Sequence, residues 1–355
     1  MSHNWPYVVA LLVAWLGTDL LIPHVVRFAK IIGKMDQPDP RKVHTVPIPR
    51  LGGIAIFLGF IMSLVTIELL QKGFFTNSVS WHGIVAGASL MFLLGVIDDL
   101  KPLPAKVKFV CQIIVSLIAF SFGVKIGVLS NPFGGMIILP YWVSMAVSVF
   151  WLVGITNTIN LIDGLDGLAA GISVIAGITL SIIALQTNQV FGAVIILTLV
   201  GGTIGFLRYN FNPAKIFMGD SGSLFLGFTL AAISITSVLK LAATVTILLP
   251  LLILGFPILD TTFAIVRRAA NGKPIFQPDK GHLHHRLLGI GLSQRRVVIV
   301  IYGFSSLMAG VALYLIGARP ALSVIIVSLI MLIVGFMNFR RLKTLVVKNS
   351  STKLE

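Results

Sequence analysis

Four polar residues recur at every third position in the run NTINLIDGLDGLAAG: Asn157, Asn160, Asp163 and Asp166. Apolar stretches flank them on both sides. A carboxylate moved into hydrocarbon costs about 2.5–3.5 kcal/mol on insertion scales, so acids at such a place face protein, water or an ion. On a helix this spacing makes one slowly drifting stripe. Gly164 and Gly167 beside the acids let another backbone or a ligand come close. Capping of the next helix accounts for one of the four residues but not for a stripe. Asn157 is the member for which capping or packing suffices.

Seven of the twelve acids, Asp98, Asp99, Asp163, Asp166, Asp220, Asp260 and Asp279, lie in or near such polar clusters. Asp98 and Asp99 stand together in GVIDDLKPLPAKVK, residues 95–108. Adjacent like charges repel, so the pair favours a divalent cation or a shared proton; it serves equally as a solvated helix end. Lys101, Lys106 and Lys108 follow and could hold a phosphate as point charges. Asp220 opens a helix in NPAKIFMGDSGSLFLG, residues 212–227, with Ser221 and Ser223 behind it. Alone it reads as an N-cap followed by small residues for helix packing. It is also a hydroxyl-rich carboxylate site at a helix N-terminus, which suits phosphate and metal together.

His282, His284, His285 and Arg286 crowd into the loop 266–297. On a helix His282, His285 and Arg286 share a face. No cysteine is near to complete a zinc site, and His with Arg suits an anion such as a diphosphate. The basic, Pro-rich RKVHTVPIPRLGG, residues 41–53, reads equally as a membrane anchor or as part of a site. Asp19 and Glu68 lie inside apolar runs. Asp19 is placed to pair with a basic neighbour and Glu68 to reach the interface; neither is assigned chemistry.

These clusters need a scaffold, and composition names it. The chain of 355 residues is 56% hydrophobic and 11% charged, with a mean hydropathy of +0.99. A soluble domain of that size could not hide so much apolar surface. The expected fold class is an all-α polytopic integral membrane protein. Eleven spans are expected, at roughly 5–26, 51–70, 82–97, 109–124, 138–156, 167–185, 189–207, 221–238, 241–265, 298–317 and 320–339. The third is short and the ninth holds Pro250 and Pro257, so tilting or a break is expected there. With eleven spans, 23 of the 27 Lys and Arg fall on one side, and only Lys72, Lys125, Lys240 and Arg319 on the other. That bias places the N-terminus outside and the C-terminus in the cytoplasm, with every acidic cluster at the cytoplasmic face. It also accounts for the net charge of +15, so no nucleic-acid partner is expected. The single cysteine, Cys111, excludes disulfides. The start MSHNWP lacks Lys and Arg and reads as the lead-in to an uncleaved first span. One transmembrane catalytic domain over 1–340 and a basic cytoplasmic tail over 341–355 complete the plan.

Hard carboxylates bring Mg²⁺; Lys, Arg and His bring phosphate; an apolar surround admits a lipid. Together they describe phosphoryl transfer at a membrane surface. No Walker-type loop is present, so ATP hydrolysis is not expected. VIDDLKPLPAKVKF, NTINLIDGLDGLAAG, NPAKIFMGDSGSLFLG, PILDTTFAIVRR and the PDKGHLHHRL run follow one another across about 40–290. In that order they resemble the polyprenyl-phosphate N-acetylhexosamine-1-phosphate transferase family. The resemblance implies transfer of a sugar-1-phosphate from a UDP-sugar to undecaprenyl phosphate, with release of UMP. It implies a place in the bacterial cytoplasmic membrane, Mg²⁺ as cofactor, and Mn²⁺ as a substitute.

Residue by residue, the resemblance makes Asp98 and Asp99 the paired acids, with Asp98 activating the lipid phosphate or helping to hold Mg²⁺. Asp220 becomes a principal Mg²⁺ ligand. Asn160, Asp163 and Asp166 become the nucleotide-side and metal-side acidic loop, Asp163 and Asp166 counting with Asp98 and Asp99 as catalytic. Lys108, with Lys106 beside it, becomes the phosphate-binding lysine. His282, His284, His285 and Arg286 become the loop that recognises the sugar-nucleotide. HLHHR and PILDTTFAIVRR are similar to the N-acetylglucosamine-1-phosphate branch. UDP-N-acetylglucosamine is therefore the expected donor, and UDP-MurNAc-pentapeptide the alternative within the family. The product would begin a cell-envelope glycopolymer such as teichoic acid or O-antigen; a homo-oligomer is left open. A lipid or nucleotide-sugar transporter is the rival reading. Transporters place charged sites near the midplane between repeated halves, whereas here the acids lie at one edge and no repeat is evident.

Overall fold

The computed structural model describes residues 4–38, 46–76, 79–130, 135–238, 248–272 and 283–329. Its helices are α1 (Trp5–Ile31), α2 (Gly52–Leu70), α3 (Val79–Leu100), α4 (Ala105–Ser121), α5 (Tyr141–Ile162) and α6 (Leu168–Gln186). They continue with α7 (Val190–Asn210), α8 (Gly219–Ile233), α9 (Leu248–Ile253), α10 (Gly255–Ala270), α11 (Leu283–Gly289) and α12 (Gln294–Leu315). Two small antiparallel ladders join β1 (Met35–Asp36) to β2 (Ile48–Pro49) and β3 (Val128–Ser130) to β4 (Met136–Ile138). Among the described residues seven helices, α1, α2, α3, α5, α6, α7 and α12, are long and apolar enough to cross a membrane. Large apolar side chains such as Leu20, Leu69 and Phe150 are exposed on them, as lipid-facing helices require. The chain is a helical, polytopic membrane protein.

The helices depart from the expected spans where the polar residues are. α3 continues through Leu100, so Asp98 and Asp99 form its last turn instead of lying past it. Pro102 and Pro104 then forbid a continuation. Pro104 starts α4 four residues before the expected span, which puts Lys106 and Lys108 on the helix. α5 begins after Pro140, where Met136–Ile138 pairs as a strand instead of opening the span, and it runs on to Ile162. Asn157 and Asn160 are therefore helical, not loop, because their amides find partners on neighbouring helices. The expected ninth span is broken at Leu254, between Pro250 and Pro257, into α9 and α10. Residues 241–247 of that span and 330–339 of the last one lie outside the described residues.

α8 is the axis of the bundle. Of its fifteen residues only Asp220 escapes burial. α3 and α5 pack along it and α2 lies against its start. Glycines make these approaches: a methyl group on Gly95 would collide with the Asp220 carbonyl, and one on Gly53 with the Gly222 backbone. In hydrocarbon such close van der Waals contact drives helix association, because lipid offers apolar surface as readily as a neighbouring helix does. Phe225 of α8 meets Phe57 and Phe60 edge-on at 5.4 and 5.2 Å.

The connections sort to two ends. At one, Lys34 caps the α3 C-terminus by donating from Nζ to the Leu100 carbonyl at 2.6 Å. There Asp166 also reaches Ala214, and Arg295 Nε donates to the Asn212 carbonyl. At the other, the 71–76 turn packs Phe74 against Phe191 at the start of α7.

Candidate active site

The site begins where α3 ends and α8 starts. Asp99 turns both carboxylate oxygens to the first turn of α8, accepting from the Asp220 N–H at 2.9 Å and the Ser221 N–H at 3.0 Å. It thus caps the helix that carries Asp220, from a different helix. Gly219 precedes Asp220 with φ +74, and a side chain there would strike the Asp99 carboxylate. Asp98, one position earlier, faces elsewhere. Its Oδ1 accepts from the Leu103 N–H at 2.6 Å and its Oδ2 from Lys108 Nζ at 2.9 Å. The Lys108 ammonium also bonds Asp220 Oδ2. One lysine thus ties two carboxylates that lie 122 positions apart in the chain.

α5 supplies the next face. Asn160 Nδ2 donates to Asp220 Oδ1 at 2.9 Å and to Ser223 Oγ at 2.8 Å, bracing the carboxylate from the side opposite Lys108. Asn157, one turn deeper, donates to Gln112 Oε1 of α4 at 2.6 Å and joins the two helices. The stripe leaves the helix at Asp163. The Asp163 carboxyl is pushed up to about 7, first by burial and then by the charges of Asp220, Asp99 and Asp166, with Arg50 opposing the rise. A carboxyl half-ionised near neutrality is poised to exchange a proton or to be fully ionised by an arriving cation. Asp166 instead accepts from Asn212 Nδ2 at 2.9 Å and the Ala214 N–H at 3.0 Å, pinning the 163–167 turn to the segment that leads into α8.

Lys106 and Lys108 separate. Two positions on a helix are about 200° apart, and Lys106 is exposed on the far side while Lys108 enters the cluster. The histidine loop also regroups. His282 lies outside the described residues, as does Asp279. His284 is buried, with Nδ1 3.9 Å from Asp260 of α10, and Asp260 Oδ1 accepts the Leu283 N–H at 2.6 Å. A Cβ on Gly164 would stand 3.3 Å from His284 Nε2, so the loop docks on the acidic turn through this residue. The His285 ring lies tilted beside it, 4.3 Å between centroids, and Arg286 is exposed.

Sequence reasoning gave three residues no individual role, although Asp260 stood among its clustered acids and Arg50 in its basic 41–53 run. Asp260 anchors the histidine loop; its signal was an acid inside a Pro-interrupted apolar run. Asn210, buried, accepts the Gly167 N–H at 3.0 Å and donates to the Ile216 carbonyl at 2.9 Å. Arg50 lies 3.8 Å from Asp99 and 3.6 Å from Asp36.

Residues 81–238 match glycosyl transferase family 4, a stretch that holds Asp98, Asp99, Lys108, Asn160, Asp163, Asp166 and Asp220. Over 325 residues the chain is 44% identical to the probable undecaprenyl-phosphate N-acetylglucosaminyl 1-phosphate transferase of Bacillus subtilis, covering 92% of this chain and 89% of that protein. The chain belongs to glycosyl transferase family 4. This family 4 chain is also 38% identical over 305 residues to the decaprenyl-phosphate N-acetylglucosaminephosphotransferase of Mycobacterium tuberculosis, with 79% and 75% of the two chains covered. The phospho-N-acetylmuramoyl-pentapeptide-transferase of Listeria monocytogenes is more distant, 32% identical over 315 residues, covering 84% of this chain and 93% of that one. The resemblance to polyprenyl-phosphate N-acetylhexosamine-1-phosphate transferases therefore holds across the chain, and family 4 membership makes the protein a phospho-sugar transferase.

Proposed function

We propose that the protein transfers N-acetylglucosamine-1-phosphate from UDP-N-acetylglucosamine to undecaprenyl phosphate at the cytoplasmic face of the bacterial plasma membrane. One observation carries this reading: Asp98 and Asp220, distant in sequence, converge on one cation, the Lys108 ammonium, at the end of an apolar bundle. The 44% identity to a transferase named for these substrates supports the donor and the lipid. An oxygen of the lipid phosphate bonds to the phosphorus that bears the sugar. The bond from that phosphorus to the bridging oxygen breaks, and UMP leaves with the electron pair. A phosphate monoester has a second pKa of about 6, so the lipid arrives largely as a dianion and is nucleophilic without a strong base. The work left to the protein is to hold two anions together in line. Asp98 orients Lys108, Asn160 orients Asp220, and the His284–His285–Arg286 segment sits over the acidic turn for the sugar-nucleotide.

The donor set fits Mg²⁺. Among the described residues no three His, Cys or acidic side chains close into a metal cage, and Mg²⁺ needs none: it is held by one or two carboxylates with substrate phosphates and water. Asp220 with Asp98 or Asp163 would hold it, and Mn²⁺ suits the same oxygens. Bound there, the ion would draw charge from the diphosphate and ease the departure of UMP. The reading also includes eleven spans with the N-terminus outside. It is supported by the 23 basic residues that this count puts on one side and by the meeting of residues 34–38, 46–50, 98–108, 163–167 and 211–220 at a single end.

The test is purified protein with undecaprenyl phosphate, Mg²⁺ and a panel of UDP-sugars, read as UMP release. UMP from UDP-N-acetylglucosamine is expected. Release only from UDP-MurNAc-pentapeptide would replace the donor, and release from none would refute the assignment.

A further inference from the structure

Arg50 stands at the edge of the carboxylate cluster, and its backbone is fixed on two sides. The Arg50 N–H donates to the Lys34 carbonyl at 3.1 Å, and the preceding Ile48–Pro49 pairs with Met35–Asp36. Beyond it, the Phe217 N–H donates to the Pro49 carbonyl at 2.8 Å, and the Gly52 and Gly53 N–H groups donate to Phe217 and Met218 at 2.9 and 2.8 Å. Arg50 is thus stitched to the strand of chain that enters α8 two residues before Asp220. The next residue, Leu51, is buried with φ +80. A non-glycine residue in that region is held there only when its surroundings over-determine it, and such strain gathers at functional sites.

The side chain is not closed in the same way. It is 41% exposed, and its ion pairs with Asp36 and Asp99 are 3.6 and 3.8 Å, too long for hydrogen bonds. Both Asp99 oxygens already accept N–H groups of α8. Arg208 shows the contrast: it grips Asp19 with hydrogen bonds of 2.9 and 3.0 Å and has a partner in full. Lys108 is likewise committed to two carboxylates. An exposed guanidinium, steered by acids yet not bonded to them, presents a planar fork that matches phosphate oxygens. Its positive charge also opposes the upward push on the Asp163 carboxyl.

We propose that Arg50 binds a phosphate of the reactants, a role that rests on the phosphoryl-transfer reading above. The shared chemistry is a phosphate oxygen pair, supplied either by the donor diphosphate or by the lipid phosphate. The experiment compares wild type, Arg50→Gln and Arg50→Lys in steady-state UMP release, with each substrate varied in turn. Arg50→Gln is expected to raise one KM by about 10–100-fold, the worth of hydrogen bonds to a charged group. Arg50→Lys, which keeps the charge but loses the fork, is expected to raise the same KM by a smaller factor. A shift confined to UDP-N-acetylglucosamine assigns Arg50 to the donor diphosphate, and one confined to undecaprenyl phosphate assigns it to the lipid. Both KM values within about twofold of wild type in a folded variant would overturn the proposal; Arg50→Lys decides if Arg50→Gln does not insert. Thermal stabilisation by inorganic pyrophosphate separates this inference from the function itself. Wild-type stabilisation that Arg50→Gln loses supports the site even if no UDP-sugar yields UMP. Equal stabilisation of both proteins counts against it.

Discussion

Acids at the two ends of this bundle, and along its flank, are treated in opposite ways. Glu68, near one end, is consumed locally: its carboxylate accepts the Gly73 and Phe75 N–H groups at 2.6 and 3.3 Å and closes the turn after α2. Asp19 on α1 is answered by Arg208 through both oxygens. At the other end Asp98, Asp99, Asp163 and Asp220 gather around Lys108 and Arg50, and Asp163 is left with its carboxyl pushed up by burial and by like charge. Burying like charges side by side is costly. The fold gives Glu68 and Asp19 partners of their own yet concentrates four acids at one mouth, an arrangement that would suit a bound cation.

The contrast can be broken by substitution. Asp220→Asn is expected to lower UMP release by at least about 10²–10³-fold, the scale for losing a group that meets developing charge, while the protein still inserts and folds. Asp98→Asn and Asp163→Asn are expected to follow it. The two lysines make the next test: Lys108→Ala should cost about 10²-fold in UMP release. Lys106→Ala, on the exposed face, should stay within about twofold of wild type. Equal losses from both would show that α4 presents its other face to the substrate.

Asp99→Asn probes positioning. An amide cannot accept both α8 N–H groups, so a loss of about 1–3 kcal/mol is expected, read as a lower melting temperature together with reduced turnover. Turnover lost with no thermal change would instead give Asp99 a direct contact with substrate.

The Asp163 carboxyl gives a pH signature. Its pKa rises from 3.8 to about 7 on folding, so the folded chain binds the proton more tightly than the unfolded one. Stability from this group is full below about pH 4 and falls as pH rises toward 7. In chelator, melting temperature should therefore decline between pH 5 and 7.5; Asp163→Asn should flatten the decline, and Mg²⁺ should oppose it. The smallest effect belongs to Asp19→Asn, an exposed pair worth about 0–1 kcal/mol, with activity unchanged.

Much of this was legible in the sequence because hydropathy and charge bias are local signals. The runs that became α1, α2, α6 and α7 were placed to within a few residues, and Asp19 found the basic partner expected of it. The polar stripe was visible as a period of three, but its members part company for reasons no period contains. Asn157 answers Gln112, Asn160 answers Asp220, and Asp166 turns away to Asn212 and Ala214. Lys108 was expected as the phosphate-binding lysine with Lys106 beside it, and the start of α4 at Pro104 turns only Lys108 toward the cluster. Asp99 looked like a twin of Asp98, and only the approach of α8 reveals it as a cap. The run 41–53 was legible as an anchor or as part of a site, but Arg50 did not stand out within it, because its neighbours, Asp36 and Asp99, are brought to it by long-range pairing.

One assay bears most directly on the account. UMP release from UDP-N-acetylglucosamine, with undecaprenyl phosphate and Mg²⁺, is measured for wild type, Asp220→Asn and Glu68→Gln purified alike. Release by wild type and Glu68→Gln but not by Asp220→Asn is the predicted result. Equal release by all three, or by none, would contradict the claim that the acids gathered at α3, α5 and α8 are the machinery of a sugar-phosphate transfer.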